Sequence, residues 1–199
     1  MSSYLADLIA QEIEDSIIVK QKVLDDAGLI SQLARLAMDC NNAICTGGKV
    51  IFAGNGGSFA DAQHLSAEFI SRFKSDRSPL ASIALATNNS TLSAIGNDYG
   101  YELIFSRELE AVALPRDIFI PISTSGNSPN ILRAIKSSKR LELRTVCLTG
   151  EDGGIASELC ECLRMPSQDT ARIQECHILV GHILCGLVEY MCFNKELIR

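Results

Sequence analysis

Residues 49–58 read KVIFAGNGGS, an apolar run of strand length that leads into a loop with three glycines. Similar apolar runs recur at 82–86, 117–122, 144–148 and 160–165. Between them, apolar residues follow helical spacing, near 58–73, 100–111, 129–140 and 170–193. Strands that are apolar almost throughout and alternate with helices are typical of a parallel sheet covered on both faces. The sequence therefore predicts a doubly wound α/β fold with a five-stranded parallel sheet.

Two amphipathic helices are predicted before the first strand. Apolar residues recur every three or four positions over residues 5–26, and Gly28 is predicted to end this first helix. A second helix follows and is predicted to stop at Gly47. We expect a single domain in which residues 1–46 form a helical extension and residues 47–199 form the α/β core.

The composition excludes several classes of protein. The chain has 199 residues, 47% of them hydrophobic and 21% charged, which predicts one globular domain and excludes a disordered or fibrous chain. Its net charge is -6, and no cluster of Lys or Arg is present, which argues against a nucleic-acid partner. An anionic ligand would therefore have to be bound by hydrogen-bond donors at its own site, not by a basic surface.

The chain is also predicted to stay in the cytoplasm. Its apolar runs are shorter than the roughly 20 residues of a membrane span, so no membrane association is predicted. The N-terminus carries acidic residues where a secretory signal would be basic. The eight cysteines lie mostly within apolar runs and lack the spacing of a zinc site, so we interpret them as reduced thiols.

A second polar loop, at residues 123–128, reads STSGNS and precedes the helix predicted to begin near Pro129. The hydroxyls of Ser123, Thr124, Ser125 and Ser128 would surround the unpaired N–H groups of that helix N-terminus, which is an arrangement suited to phosphate. Alternatively, such residues only cap the helix and shape a turn. Four hydroxyls exceed what one cap requires, so a phosphate site is favoured.

The glycine loop at residues 54–58 does not match the two common nucleotide motifs. It lacks the Gly-Lys-Ser/Thr ending of a P-loop, and Phe59 stands where the dinucleotide fingerprint requires glycine. Nucleotide binding is therefore disfavoured. The loop instead predicts a tight turn whose backbone can approach a small polar ligand.

The helix after this loop carries Asp61, His64 and Glu68 on one edge, about 110° from its apolar stripe. His64 and Glu68 are four residues apart, the spacing at which a helix can offer two ligands to one metal ion. The carboxylate could alternatively serve as a base. Taken alone, such a pair is most often a solvated surface pair.

The last helix carries two histidines with different surroundings. His177 falls within the apolar stripe and is interpreted as a packed, structural residue. His182 shares a half-polar stripe with Gln174, which makes it the better functional candidate, although packing in a core or an interface is an alternative. A helix that is apolar on two sides also indicates a subunit interface.

Seven ordered blocks run over nearly the whole chain: GNGGS, DAQH, AIGNDYG, FSRELEAV, STSGNSPN, LTGEDGG and TARIQE. With these blocks, the chain resembles the sugar isomerase (SIS) domain family and, within it, the phosphoheptose isomerases. This resemblance implies cytoplasmic homotetramers in which the two N-terminal helices pack in the oligomer. It further implies conversion of sedoheptulose 7-phosphate to D-glycero-D-manno-heptose 7-phosphate, which supplies activated heptose for lipopolysaccharide or capsule.

The resemblance also assigns site residues. It implies one zinc ion per subunit held by His64, Glu68, Gln174 and His182. For isomerisation through an enediol, our hypothesis is that Glu68 is the carbon base and His182 is its oxygen-side partner. Gln174 and His182 stand eight residues apart, about 12 Å along a helix, which is far for two ligands of one ion. Ligands from different subunits or partial occupancy would resolve this. The implied substrate contacts are Asn55, Gly56, Gly57, Ser58, Asp61, Glu68, Asn97, Asp98, Ser123, Thr124, Ser125, Ser128 and Gln174.

Two other functions remain open on the sequence. SIS domains also act as protein-binding modules, and one relative binds the bacterial replication initiator without catalysing isomerisation. That relative lacks Glu and His at the positions of Glu68 and His182, so their presence here favours an enzyme. An isomerase acting on a different phosphosugar is the third alternative.

Overall fold

The computed structural model describes residues 2–193, so the predicted domain limits at Met1 and Arg199 lie outside the described residues. Its helices and strands alternate as the sequence predicts. The helices are α1 (Ser2–Asp25), α2 (Ala27–Cys45), α3 (Gly57–Ile70), α4 (Asn89–Tyr99), α5 (Ile104–Val112), α6 (Pro129–Arg140), α7 (Ala156–Leu159) and α8 (Thr170–Phe193). The strands are β1 (Val50–Gly54), β2 (Ser82–Ala84), β3 (Ile118–Ile122), β4 (Arg144–Thr149) and β5 (Glu161–Arg164).

The five strands form one parallel sheet in the order β2-β1-β3-β4-β5, which confirms the predicted fold class. The strand order reverses between β1 and β3. Gly54 at the end of β1 pairs with Ile122 at the end of β3, so the loops that follow the two strands leave the sheet side by side. This reversal point is where doubly wound folds bind their ligands.

Both faces of the sheet are covered, and neighbouring strand residues alternate between two cores. Phe52 belongs to the core under α2, α3 and α8, together with Leu36 and Phe69. Ile51 points to the other face and packs with Phe105 under α5 and α6. Each such side chain contributes about 1.5–3 kcal/mol when fully buried. The helices that carry candidate site residues, α3 and α8, therefore share one core.

The prediction that Gly28 ends the first helix is wrong. The chain breaks at Asp26 instead, whose Oδ1 accepts a hydrogen bond from Leu29 N at 2.9 Å and so caps the start of α2. Gly28 lies in the first turn of α2. An aspartate side chain satisfies a free N–H at a helix start, which is a stronger boundary signal here than the glycine.

The helix predicted at 100–111 is interrupted, and α4 before it was not predicted. Gly100 has φ 91° and separates α4 from a short 3-10 turn at Tyr101–Leu103 that leads into α5. None of the residues of α4 is buried. Leu92 and Ile95 of α4 are only partly buried against the core, so the apolar periodicity of this helix is short and the sequence pattern did not reveal it.

The helix predicted at 58–73 stops earlier, because α3 ends at Ile70. Beyond its end, the Arg77 guanidinium donates to the carbonyl oxygens of Glu68 at 2.8 Å and Phe69 at 2.7 Å. These carbonyls belong to the last turn of α3, where no further N–H is available. Phe73, predicted on the apolar stripe of the helix, instead lies in the segment that follows it.

The last helix, α8, is the most apolar one in the described residues. By length and composition alone it would be long enough to cross a membrane. It packs against α1, α2, α3 and β4, which accounts for its apolar composition. His177 is fully buried in this packing, as predicted, and its Nε2–H donates to the Thr149 carbonyl oxygen at 3.1 Å. Burial lowers the pKa of the His177 imidazole to about 4, so this side chain is neutral at neutral pH.

The eight cysteines all lie between residues 2 and 193, and all are free thiols. This agrees with the interpretation that they are reduced. Most of them are buried and fill the core.

Candidate active site

Three side chains from α3 and α8 meet in a cluster: His64 and Glu68 from α3, and His182 from α8. The Nε2 atoms of the two histidines are 2.8 Å apart, and Glu68 Oε1 lies 3.4 Å from His64 Nε2. One ligand atom from each residue lies within 4.8 Å of the others. His64 and His182 are 118 residues apart in sequence, so packing of the two helices alone assembles the cluster.

A glycine allows this close approach of the helices. Gly181 of α8 faces Leu65 of α3, and a Cβ on this glycine would lie 2.6 Å from the Leu65 methyl carbons. A larger residue would have to displace the Leu65 side chain or move α8 away from α3. Because Gly181 precedes His182 and Leu65 follows His64, this contact brings the two histidines together.

The cluster has the chemistry of a metal site. Two imidazole nitrogens and one carboxylate oxygen are a common ligand set for zinc and related divalent ions. The cluster is also open to solvent, since the His64 side chain is 50% exposed. The residues present therefore fit a bound cation with positions left for other ligands.

Asp61 lies one turn before His64 and has an unusual environment. Its Oδ2 is buried and makes no hydrogen bond within the described residues. Burial raises the pKa of the Asp61 carboxyl, and the nearby His64 imidazole opposes that rise. An unpaired buried carboxylate oxygen beside a candidate metal cluster is available to a ligand.

Phe73 packs against the cluster and was not recognised from the sequence as part of a site. Its ring stacks on the His182 imidazole, with centroids 5.5 Å apart and an interplanar angle of 18°. The His64 ring meets His182 edge-on, at 5.0 Å. His182 is therefore held between two rings. The sequence carried no signal for this contact, because Phe73 fits the apolar spacing of the preceding helix.

The glycine loop after β1 contacts α8 near Gln174, at a different position along the helix from the histidine cluster. Gly56 has φ 55° and directly precedes α3. A Cβ on Gly57 would lie 2.6 Å from Gln174 Nε2, so the Gln174 amide packs against the loop backbone. Since α8 is one continuous helix, Gln174 stands about 12 Å along it from His182. Ser58 is buried in the first turn of α3.

Asn55 links the two candidate ligand loops. Its side-chain amide exchanges two hydrogen bonds of 2.8 Å with the amide of Asn130, which is buried at the start of α6. Tyr101 donates a third hydrogen bond to Asn55 Oδ1, at 3.2 Å. Asn130 was part of the STSGNSPN block, but nothing in the sequence marked its pairing with Asn55.

The loop after β3 presents its hydroxyls at the start of α6. Ser123 Oγ donates to Ser128 Oγ at 3.2 Å, and Ser128 precedes α6 without making a side-chain cap hydrogen bond. Thr124 is half-buried and Ser125 is exposed. The Ser128 hydroxyl thus does not cap α6, which weakens the interpretation of this loop as only a helix cap.

Asn97 and Asp98 lie on the exposed helix α4, where Asn97 Nδ2 donates to Asp98 Oδ1 at 2.8 Å. This helix packs against the 3-10 turn that contains Tyr101. Leu92 of the same helix lines a small pocket with Asn55 and Gly56, so α4 borders the glycine loop. Asn97 and Asp98 are exposed beside it.

The sequence profile of the SIS domain matches residues 14–150. A phosphoheptose isomerase of Campylobacter jejuni is 50% identical over 182 residues, covering 91% of this chain and 90% of that protein. The phosphoheptose isomerase of Aneurinibacillus thermoaerophilus is 48% identical, with 96% of this chain and 98% of that protein covered. The solved structure of a phosphoheptose isomerase from Neisseria gonorrhoeae has a TM-score of 0.87 and 36% identity, covering 93% of this chain and 98% of that one.

Proposed function

The chain belongs to the phosphoheptose isomerases of the SIS domain family, and we infer that it converts sedoheptulose 7-phosphate to D-glycero-D-manno-heptose 7-phosphate. The observation that carries this inference is the meeting of a carboxylate from α3 with an imidazole from α8. The reacting carbons and the phosphate lie at opposite ends of the sugar. A hydroxyl-rich loop for the phosphate and an acid–base cluster built from other elements suit such a substrate.

In the proposed mechanism, the Glu68 carboxylate removes a proton from C1 of the ketose and returns one to C2, so that the reaction passes through an enediol. His182 moves protons between the oxygens on C1 and C2. Each of these acid–base roles is worth about 10²–10⁴-fold in rate. The net reaction moves hydrogen within one molecule, so it consumes no redox cofactor and no phosphate donor.

The remaining assigned residues hold the substrate. The hydroxyls of Ser123, Thr124, Ser125 and Ser128 and the first turn of α6 would bind the phosphate. The rest of the sugar would lie along the glycine loop and α4. The residues proposed for it are Asn55, Gly56, Gly57, Ser58, Asp61, Asn97, Asp98 and Gln174.

Solvent exchange tests the enediol. In deuterated water, we expect the product to carry deuterium at C2, because a protonated base exchanges with solvent before it returns its proton. Mass spectrometry of the product after limited turnover measures the label. Complete retention of the original C1 hydrogen at C2 over many turnovers would contradict the proposed carbon base.

We propose zinc as the metal of the site, held by His64, Glu68 and His182 with Gln174 as a further ligand. Zinc is a Lewis acid that polarises carbonyl and hydroxyl oxygens. Because Gln174 and His182 are about two helical turns apart, a Gln174 ligand fits best if it comes from another subunit. Glu68 has two carboxylate oxygens, and a metal role does not by itself remove its role as a base.

Metal analysis tests the ligand assignment without relying on activity. We expect about one zinc ion per chain in protein purified without chelator, and a large loss of zinc in His64→Gln. Gln63→Ala, which changes the exposed residue beside His64, is the matched control and should keep its zinc. Atomic emission spectroscopy on dialysed samples measures both. Equal zinc content in His64→Gln and the control would refute the assignment.

We further propose that the chain forms a homotetramer through its N-terminal helices. The apolar stripe of α1 is exposed in the single chain, with Leu5, Ile9, Ile13 and Ile17 each more than half accessible. Monomeric proteins rarely expose such a continuous apolar stripe. The C-terminal part of α8 exposes another apolar group, comprising Ile183, Leu187, Tyr190 and Phe193.

Light scattering tests the assembly. We expect the mass of four chains for the natural protein and a smaller particle for Ile13→Glu, because a charge would be buried at the interface. Lys22→Glu introduces a glutamate on the polar side of α1 and should leave the mass of the particle unchanged. A monomeric natural protein, or an unchanged mass in Ile13→Glu, would count against this interface.

We place the enzyme in the cytoplasm, at the entry to activated heptose for lipopolysaccharide or capsule. The eight free thiols support a reducing compartment. A non-catalytic protein-binding module, the alternative function, has no need for the cluster of Glu68 with two histidines. The presence of this cluster in the chain therefore favours an enzyme over a binding module.

A further inference from the structure

A buried carboxylate that the proposed mechanism does not use lies on α8. Glu189 is only 4% exposed, and it accepts hydrogen bonds from the backbone N–H groups of Phe73, Lys74 and Ser75 at 2.9–3.0 Å. The Ser75 hydroxyl and the Arg77 Nε–H also donate to it, at 3.0 and 2.8 Å. Burial would raise the pKa of the Glu189 carboxyl, but these donors lower it to about 2. The carboxylate therefore stays charged and organises the segment after α3.

The same network reaches the backbone of the proposed carbon base. The Arg77 side chain is 3% exposed, and its Nη2 donates to the Glu68 carbonyl oxygen at 2.8 Å. Its Nη1 donates to the carbonyl oxygens of Phe69 and Ser71. The guanidinium thus binds the last turn of α3 on one side and Glu189 of α8 on the other. It ties together the two helices that carry the proposed acid–base pair.

The network also reaches the imidazole. The N–H of Phe73 is bonded to Glu189, and its ring stacks on His182. Glu189 and His182 are seven residues apart on α8, close to two full turns, so they share one face of that helix. The carboxylate therefore fixes the position of the ring that packs on His182.

We propose that the Glu189–Arg77 ion pair positions Glu68 and His182 relative to each other, with Phe73 as the contact to His182. This inference rests on the catalytic roles proposed for Glu68 and His182. None of Glu189, Arg77 or Phe73 needs to touch the substrate. Positioning acts on the chemical step, where a displacement of about 1 Å can cost 10²-fold in rate.

Kinetics of Glu189→Gln test the proposal. Glutamine keeps the shape of the side chain but loses the charge that Arg77 and the N–H groups bind. We expect kcat to fall about 10- to 100-fold, with KM changed little because the phosphate loop lies elsewhere. Phe73→Leu leaves the ion pair intact and should lower kcat about 10-fold, which keeps the test valid if Glu189→Gln folds poorly.

Asp117→Asn is the matched control for loss of a buried carboxylate. Asp117 lies just before the central strand β3 and accepts from the N–H groups of Lys49 and Leu114 and from Lys49 Nζ. We expect this variant to lose thermal stability but to keep its kcat. An equal loss of kcat in Asp117→Asn, or an unchanged kcat in folded Glu189→Gln and Phe73→Leu of native mass, would overturn the proposal.

Histidine resonances provide a readout that a purely structural role would not move. The chain has three histidines, so selective labelling gives few signals. In Glu189→Gln, the His182 signals should shift as the Phe73 ring moves, while those of His177 stay in place. Unchanged His182 signals would contradict positioning through Phe73. If Glu68→Gln retains turnover, the catalytic assignment fails; if it is inactive while Glu189→Gln keeps full kcat, only the positioning inference fails.

Discussion

Replacing Glu68 with glutamine should abolish turnover, with kcat reduced by at least about 10²–10⁴-fold. The amide has nearly the same size and still fits beside His64 and His182, but it cannot accept a proton from carbon. Binding of the phosphate end should change little, because the hydroxyls of residues 123–128 are untouched. The measurements are kcat for sedoheptulose 7-phosphate and calorimetric binding of the same substrate.

Two controls make this result specific. Glu158→Gln changes an exposed glutamate on α7 by the same chemistry and should keep natural activity. Zinc content must be measured in Glu68→Gln, since loss of the metal would lower kcat for a different reason. Near-natural turnover in Glu68→Gln would refute the base assignment, whatever its metal content.

Gly126→Ala should have the largest effect on the phosphate loop and on stability. Gly126 is buried with φ 64°, its N–H donates to the Ser123 carbonyl, and its carbonyl accepts from Ala156 N. A Cβ there would collide with the backbone of Gly153 and Gly154, which cannot move as a side chain can. Left-handed strain of about 1–2 kcal/mol and overpacking of about 1–3 kcal/mol add together.

A loss of about 3 kcal/mol would lower Tm by about 6–12 °C in a chain of this size. KM for the sugar phosphate should also rise, about tenfold or more for a loss of 1.4 kcal/mol in binding, as the serine hydroxyls shift. Gly56→Ala introduces backbone strain without a collision, since Gly56 has φ 55° and ψ -119° and no atom lies within 4 Å of an added Cβ. An unchanged Tm in Gly126→Ala would contradict the collision with residues 153 and 154.

The fold could be predicted from the sequence because the buried strands are apolar along their whole length. The predicted strand 49–53 differs from β1 by one residue at each end, and 117–122 differs from β3 by one residue at its start. Helix ends were harder to predict, as Gly28 shows, since the side chain of Asp26 decides that boundary. The mostly exposed α4 escaped prediction because only Leu92 and Ile95 pack, partly buried, against the core.

The candidate site was predictable only where its residues are close in sequence. His64 and Glu68 share an edge of α3 because four residues make about one turn. The contact of His64 and Glu68 with His182 depends on the packing of Gly181 against Leu65, which no local sequence pattern predicts.

The sequence by itself determined the parallel sheet, the two polar loops and the shared helix edge of His64 and Glu68, because strand apolarity, loop composition and helical spacing are local properties. Only the tertiary structure decided that α3 and α8 bring two histidines to within 2.8 Å. It also decided that Glu189 binds the backbone N–H groups of Phe73, Lys74 and Ser75. These contacts join residues more than a hundred positions apart, and they depend on how helices pack on a shared core.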